Sequence, residues 1–297
     1  MKIEKIKSSQ DDLELEFVIS KPKNKPIGIV QILHGMNQHK EQYFDFIEEL
    51  SKNGYVVIMH DQRGHGNSIK EKNDLGYFYS ENINFLIEDA YQITKYIKNE
   101  YPNLPITLFG HSMGTIVGRN YIKKYDSKIN KAIFTGPPSK NVLIDFAIFM
   151  SYLCRPFFKE KQGNKFINDL AIKKFNNKYD KPMGWISDDE KLVSSYIKDT
   201  KVKFFFTTNA FIVMFKLLKE AYKSWTPNNK NLEIFLMSGS DDQTIISEKK
   251  FEETVNFLSS LGYVSVKSKI YKDKRHDLIH SKSNDEIMQD IIKFLEN

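Results

Sequence analysis

Residues 105–114 read Pro105-Ile106-Thr107-Leu108-Phe109-Gly110-His111-Ser112-Met113-Gly114. The apolar run Ile106 to Phe109 has the length of a buried strand, and Thr115 to Tyr125 continues as a helix. Between them a serine is flanked two places away on each side by glycine, which in a strand–turn–helix setting is a nucleophile elbow. A turn this tight strains the serine backbone and brings strand and helix together, so Gly110 and Gly114 omit side chains that would clash. The helix starts at Ser112, so its free N–H groups and positive dipole end face negative charge developing beside Oγ. Ser112 is the candidate nucleophile.

Outward from the elbow, strands alternate with helices. Leu13 to Ile19 alternates apolar and polar, as a half-buried antiparallel strand does. Ile27 to Leu33 is more continuously apolar and ends in His34-Gly35-Met36. A helical face (Phe44, Ile47, Leu50) runs from Glu41 to Asn53, with Gly54 as its stop. The strand Tyr55 to Met59 leads into Asp61-Gln62-Arg63-Gly64-His65-Gly66-Asn67-Ser68, and a helix spans about Glu81 to Asn99. Beyond the elbow helix comes the strand Lys131 to Thr135. This rhythm predicts an α/β fold with a doubly wound, mostly parallel sheet.

The rhythm breaks at Pro137-Pro138, and the next convincing strand is Leu232 to Met237. One crossover normally takes about 30 residues. Residues 139–228 are therefore predicted to be a helical insertion, with 1–138 and 229–297 forming the core. Its predicted helices are Val142 to Leu153, Ser187 to Lys198 with a Ser187…Glu190 capping box, and Ala210 to Trp225. The core resumes with a helix from Glu248 to Leu261, a strand from Val264 to Tyr271 and a helix from Asn284 to Leu295.

Composition narrows the function. The 297 residues are 40% hydrophobic, which excludes wholesale disorder. A single cysteine, Cys154, excludes an intramolecular disulfide and a cysteine-type zinc cluster. No His/Asp/Glu spacing suggests a metal, and Gly64-His65-Gly66 is neither a P-loop nor a dinucleotide fingerprint, so no cofactor is expected. Met1 to Leu13 lacks the apolar region of a signal peptide, and no stretch has the roughly 20 apolar residues of a spanning helix. The expectation is a cytoplasmic chain. The net charge of +6 reads as lysine-rich composition rather than as nucleic-acid binding.

A serine hydroxyl needs a base, and the base an orienting carboxylate. In sheets of this type the partners follow in the order Ser, acid, His at the strands' carboxyl ends. Ser238-Gly239-Ser240-Asp241-Asp242 follows one strand, and Lys274-Arg275-His276-Asp277 follows the next. Only His276 and His280 lie downstream of Ser112; His276 is preferred because it belongs to the loop, whereas His280 approaches the last helix. Asp61 and Arg63 read as paired structural charges, and His34, His65 and His111 as hydrogen-bonded loop residues.

The set His34-Gly35, Asp61-x-Arg63-Gly64-His65-Gly66-x-Ser68, Gly110-His111-Ser112-Met113-Gly114, Gly239-x-x-Asp242 and His276 resembles the α/β-hydrolase superfamily. More narrowly, it resembles the branch of monoacylglycerol lipases, bacterial lysophospholipases and S33-type serine aminopeptidases. The resemblance implies Asp242 as the acid and the Met36 and Met113 N–H groups as the oxyanion hole. The chain departs from the branch at Gln243, where proline is common. The implied activity is hydrolysis of a lipid monoester by a Ser112–His276–Asp242 triad, with a small-molecule esterase, a peptidase or a non-catalytic lipid-binding protein as alternatives.

The insertion carries 11 of the 22 phenylalanines and both tryptophans. Such a cap over the catalytic face would make an apolar slot for an acyl chain, unless its rings merely join cap to core. Arg155 to Lys181 holds eight basic residues against Glu160, Asp169 and Asp180. A basic, aromatic cap suits an anionic lipid surface such as the inner membrane face; a solvated face is the competing reading.

Overall fold

The computed structural model describes residues 1–297 except 177, 180, 181 and 281–283, together with all but the side chain of Lys174. Eight strands form one sheet: β1 (Lys2–Lys7), β2 (Glu14–Ser20), β3 (Gly28–Leu33), β4 (Tyr55–His60), β5 (Ile106–His111), β6 (Lys131–Thr135), β7 (Glu233–Gly239) and β8 (Ser265–Tyr271). Their spatial order is β1-β2-β4-β3-β5-β6-β7-β8. The first two strands pair antiparallel with each other, and β2 pairs antiparallel with β4; every later pairing is parallel. The predicted doubly wound sheet is therefore observed, with the elbow strand β5 near its middle.

Helices cover both faces. α1 (Phe44–Lys52) and α10 (Asp285–Glu296) pack on one side, α2 (Asn84–Glu100), α3 (Met113–Tyr125) and α9 (Glu248–Ser260) on the other. The pleat explains the division. Along β3, Ile29 and Leu33 join the α2/α3 core, whereas Val30 and Ile32 meet Phe46, Ile47 and Leu50 of α1. Each such fully buried aliphatic side chain contributes about 1.5–3 kcal/mol.

Strand β1 is an element the sequence reading did not contain. In Lys2-Ile3-Glu4-Lys5-Ile6-Lys7 the two isoleucines are three apart, so no alternation appears. Backbone pairing to β2 makes the strand, from Lys2↔Ile19 to Lys7↔Glu14, and its charges suit an exposed edge.

Between β6 and β7 lie α4 (Ile144–Cys154), two short helices α5 (Lys165–Asn168) and α6 (Lys174–Asn176), α7 (Glu190–Lys198) and α8 (Thr208–Glu220). The predicted capping box is not the device that starts α7. Its N-cap is Asp189, whose carboxylate accepts the Lys191 and Leu192 N–H groups, while the Ser187 hydroxyl holds the Asp189 N–H. An ionised cap satisfies the orphan amides and the dipole together. The phenylalanines of this segment serve different ends: Phe206, Phe211 and Phe215 are buried, whereas Phe149 and Phe157 are 57% and 82% exposed. Lys181 and Asp180 of the basic stretch lie outside the described residues.

Candidate active site

Strand β5 ends at His111, and Ser112 caps α3 with φ 51° and ψ −114°. Left-handed φ at a non-glycine residue costs roughly 1–3 kcal/mol and persists only when its surroundings impose it. The Ser112 N–H is held by the Thr135 carbonyl at 2.9 Å, and the Ser112 carbonyl by the Thr115 N–H at 2.9 Å and its hydroxyl at 2.7 Å. A Cβ on Gly114 would lie 2.0 Å from the Leu33 carbonyl oxygen, so only glycine allows α3 to start against the end of β3. A Cβ on Gly35 would lie 3.1 Å from Ser112 Cβ, which brings the His34-Gly35-Met36 loop against the serine.

The structure joins His276 to Asp242 and not to Asp241. His276 Nδ1 lies 2.9 Å from Asp242 Oδ2, and both side chains are buried. Asp241 lies at the surface beside Lys178, 3.2 Å from its Nζ. His280 pairs instead with Asp277, Nδ1 to Oδ2 2.7 Å. Burial disfavours the charged carboxyl of Asp242, but the adjacent His276 and the Thr244 N–H and hydroxyl hold it below the usual carboxylate range. It is thus a fixed anion beside one ring nitrogen. The other, Nε2, is buried with no hydrogen-bond partner among the described residues.

Sequence reasoning missed the residues that shape this pair. Thr244 Oγ1 donates to Asp242 Oδ1 at 2.8 Å and lies 3.2 Å from His276 Nδ1; Ser238 Oγ donates to Asp242 Oδ2 at 3.1 Å. A hydroxyl two places after an aspartate is a readable signal, because the aspartate then caps its own turn. The Thr244 N–H, 2.8 Å from Asp242 Oδ1, closes that turn without the proline that Gln243 replaces. Trp185 has no such signal; its ring lies 5.0 Å from the His276 ring.

Ser112, His276, Met36 and Met113 line one cavity of about 720 Å³. Met113 is the first residue of α3, so its N–H is among those a helix cannot satisfy internally. The remaining lining comes largely from the segment between β6 and β7, including Phe146, Met150, Phe175, Trp185, Phe204 and Phe205. No carboxylate occurs among the described lining residues, and Lys203 is their one lysine.

The tempting charges of the Asp61–Ser68 loop are structural, and they do not pair with each other. Asp61 accepts Lys40 Nζ at 2.8 Å and the Lys40 and Asn67 N–H groups at 2.7 and 2.9 Å. Arg63 is bound by Asp89 at 2.7 Å and Asp11 at 3.1 Å. His34 Nε2 accepts the Gln62 N–H at 2.8 Å, and burial lowers His111 to about 3, so it is a neutral ring. No group of three potential metal ligands occurs among the described residues.

Comparison with known proteins gives the family and the fold. A family model described as serine aminopeptidase, S33, matches residues 24–283. The chain belongs to this family. Among similar proteins, a monoglyceride lipase homolog of Monkeypox virus is 36% identical over 100 residues, 33% of each chain. The monoacylglycerol lipase of Mycolicibacterium smegmatis is 28% identical over 116 residues, 39% of this chain and 40% of the relative. These matches thus span only a third to two-fifths of the curated relatives. A thermostable carboxyl esterase from Bacillus coagulans, solved with glycerol, superimposes with a TM-score of 0.89 at 22% identity, covering 99% of this chain and 97% of the other. A monoglyceride lipase from Saccharomyces cerevisiae gives 0.74 at 18%, covering 99% and 94%. The S33 chain has the α/β-hydrolase fold.

Proposed function

We propose that this chain is a serine carboxylic-ester hydrolase acting on lipid monoesters, a monoacylglycerol or lysophospholipid, beneath a cap formed by residues 139–228. Ser112 Oγ attacks the ester carbonyl while His276 Nε2 takes its proton. Asp242 fixes the tautomer with the proton on Nδ1 and stabilises the imidazolium. The Met36 and Met113 N–H groups bind the tetrahedral oxyanion, each contributing roughly 10²–10³-fold. His276 then protonates the leaving alcohol, and water releases the fatty acid from the acyl-enzyme by the same steps.

The observation that carries this reading is the cavity, which joins Ser112 and His276 to a largely apolar lining drawn from the cap. An acyl chain fits such walls. An aminopeptidase needs a carboxylate to hold the substrate's ammonium group, and the described lining has none. The names of the relatives support the same substrate class. The exposed apolar side chains of α4 and its surroundings, Phe146, Phe149, Leu153 and Phe157, lie in sequence beside Arg155, Lys159 and Lys165. That combination supports transient docking of the cap on an anionic lipid surface.

The test is hydrolysis of monoesters of increasing acyl length by wild type and Ser112→Ala. Each buried methylene contributes about 0.8 kcal/mol, so two extra carbons should raise kcat/KM roughly tenfold until the slot is full. Ser112→Ala should lose at least about 10⁴-fold in kcat and all labelling by a fluorophosphonate. A flat acyl profile would remove the lipid substrate and leave a generic esterase. With anionic vesicles, binding that does not weaken as salt rises would remove the electrostatic docking.

A further inference from the structure

Three buried residues, Tyr196, Asp277 and Gln38, take no part in that chemistry. Asp277 Oδ2 accepts the Tyr196 hydroxyl at 2.9 Å as well as His280 Nδ1. The same Tyr196 oxygen accepts Gln38 Nε2 at 2.7 Å, and Gln38 Oε1 accepts the Gly35 N–H at 2.7 Å and the Tyr43 hydroxyl at 2.6 Å. Asp277 directly follows His276, and Gly35 directly precedes Met36. One hydroxyl on α7 therefore bridges the neighbours of the base and of an oxyanion donor.

Other ties run in the same sense. On the histidine side, Arg275 Nη1 donates to the Gly184 and Ser187 carbonyls at 2.6 and 2.9 Å, and the Asp277 N–H donates to the Ile186 carbonyl at 2.7 Å. On the oxyanion side, Asn37 Nδ2 donates to the Val202 and Phe204 carbonyls at 3.1 and 2.8 Å. Both loops thus lean on the cap for their position, and Tyr196 touches both. Oxyanion donors act only within about 2.7–3.1 Å of the developing charge, and a shift of about 1 Å costs on the order of 10²-fold.

We propose that Tyr196 is a positioning residue whose hydroxyl transmits the seating of the cap to the His276 loop and the oxyanion loop together. Catalytic geometry then depends on the bonds this one hydroxyl makes to both loops. This rests on the serine-hydrolase reading of the same site.

The test uses the full chain and p-nitrophenyl acetate, whose acyl group is too short to need the apolar cavity. Tyr196→Phe removes one oxygen and should lower kcat about 10–100-fold while KM stays within about twofold. Gln38→Met should do the same, and the double variant should lose less than the product of the single losses, because both act through one link. A cap that merely encloses substrate gives the opposite split: an unchanged kcat with a raised KM in Tyr196→Phe overturns the proposal, as do fully multiplicative losses. Should Tyr196→Phe fail to accumulate as folded protein, the kcat-against-KM split of Gln38→Met decides in the same way. Ser112→Ala, run in parallel, keeps the two claims apart. If it retains turnover, the serine-hydrolase reading fails and this proposal with it; if it is inactive while Tyr196→Phe keeps wild-type kcat, only the role of Tyr196 is lost.

Discussion

Two imidazole–carboxylate pairs in this molecule have histidines four residues apart. His276–Asp242 and His280–Asp277 both join Nδ1 to Oδ2, at 2.9 and 2.7 Å, and both leave Nε2 buried without a hydrogen-bond partner among the described residues. Burial opposes charge on each aspartate, and in each the neighbouring histidine helps to hold the carboxyl below its ordinary range. What separates them is access. His276 shares the cavity with Ser112, whereas His280 is absent from its described lining and packs against Tyr43 with ring centroids 4.4 Å apart. Pairing alone therefore does not tell the two dyads apart; the space in front of Nε2 does.

The largest expected effect breaks this comparison directly. His276→Ala should lose at least about 10⁴-fold in kcat on a short ester. His280→Ala should stay within about tenfold of wild type, because Asp277 keeps Tyr196 and the Ile279 and His280 N–H groups. Equal losses would mean that the buried pair also handles the proton. Next, Asp242→Asn should cost about 10⁴-fold by favouring the wrong tautomer of His276. Asp241→Asn, whose carboxylate meets Lys178 at the surface among the described residues, should remain near wild type. A reversed ranking would move the acid one position along the loop.

The smallest effect concerns a third imidazole, placed between two carboxylates. His39 meets Glu41 Oε2 at 2.5 Å and Asp199 Oδ2, which follows α7, at 2.6 Å. Burial opposes its charge, but the two carboxylates hold it above the ordinary histidine range. A folded value above the unfolded one gives stability that is complete below about pH 6.5 and lost as pH rises through the folded value. The melting-temperature gap between wild type and His39→Ala should therefore be about 2–4 °C larger at pH 5.5 than at pH 9. A gap independent of pH would show that this tie to Asp199 is not ionic.

The sheet and the places of the proposed triad residues at strand ends were legible because their signals are local. Each reactive residue follows an apolar run, and the glycines around Ser112 are needed for contacts within a few residues or with one adjacent strand. Asp242 and Asp241 could not be separated by spacing; only the resemblance to α/β hydrolases favoured the former. Strand β1 escaped because its pairing partner, not its pattern, makes it a strand. The interior of the segment between β6 and β7 escaped for another reason. Helix α4, Ile144–Cys154, is apolar on every side, so its sequence names no buried face, and Ser151 proves to be its buried residue. Tyr196 was silent because the groups that use it, Gln38 and Asp277, lie 158 and 81 residues away.

The buried Lys40–Asp61 pair has a consequence for how this protein can change. Neither side chain is exposed, and Glu16 completes the contact 2.6 Å from Lys40 Nζ. Removing one member of such a pair leaves a buried charge and costs about 3–5 kcal/mol, whereas replacing both by apolar groups of similar size is often neutral. A single-substitution library would therefore score Lys40 and Asp61 as indispensable, alongside Ser112 and His276, although neither faces the cavity. Lineages can leave this pair only by two nearly simultaneous steps, so its persistence among descendants would record a barrier in sequence space and not a part in the chemistry.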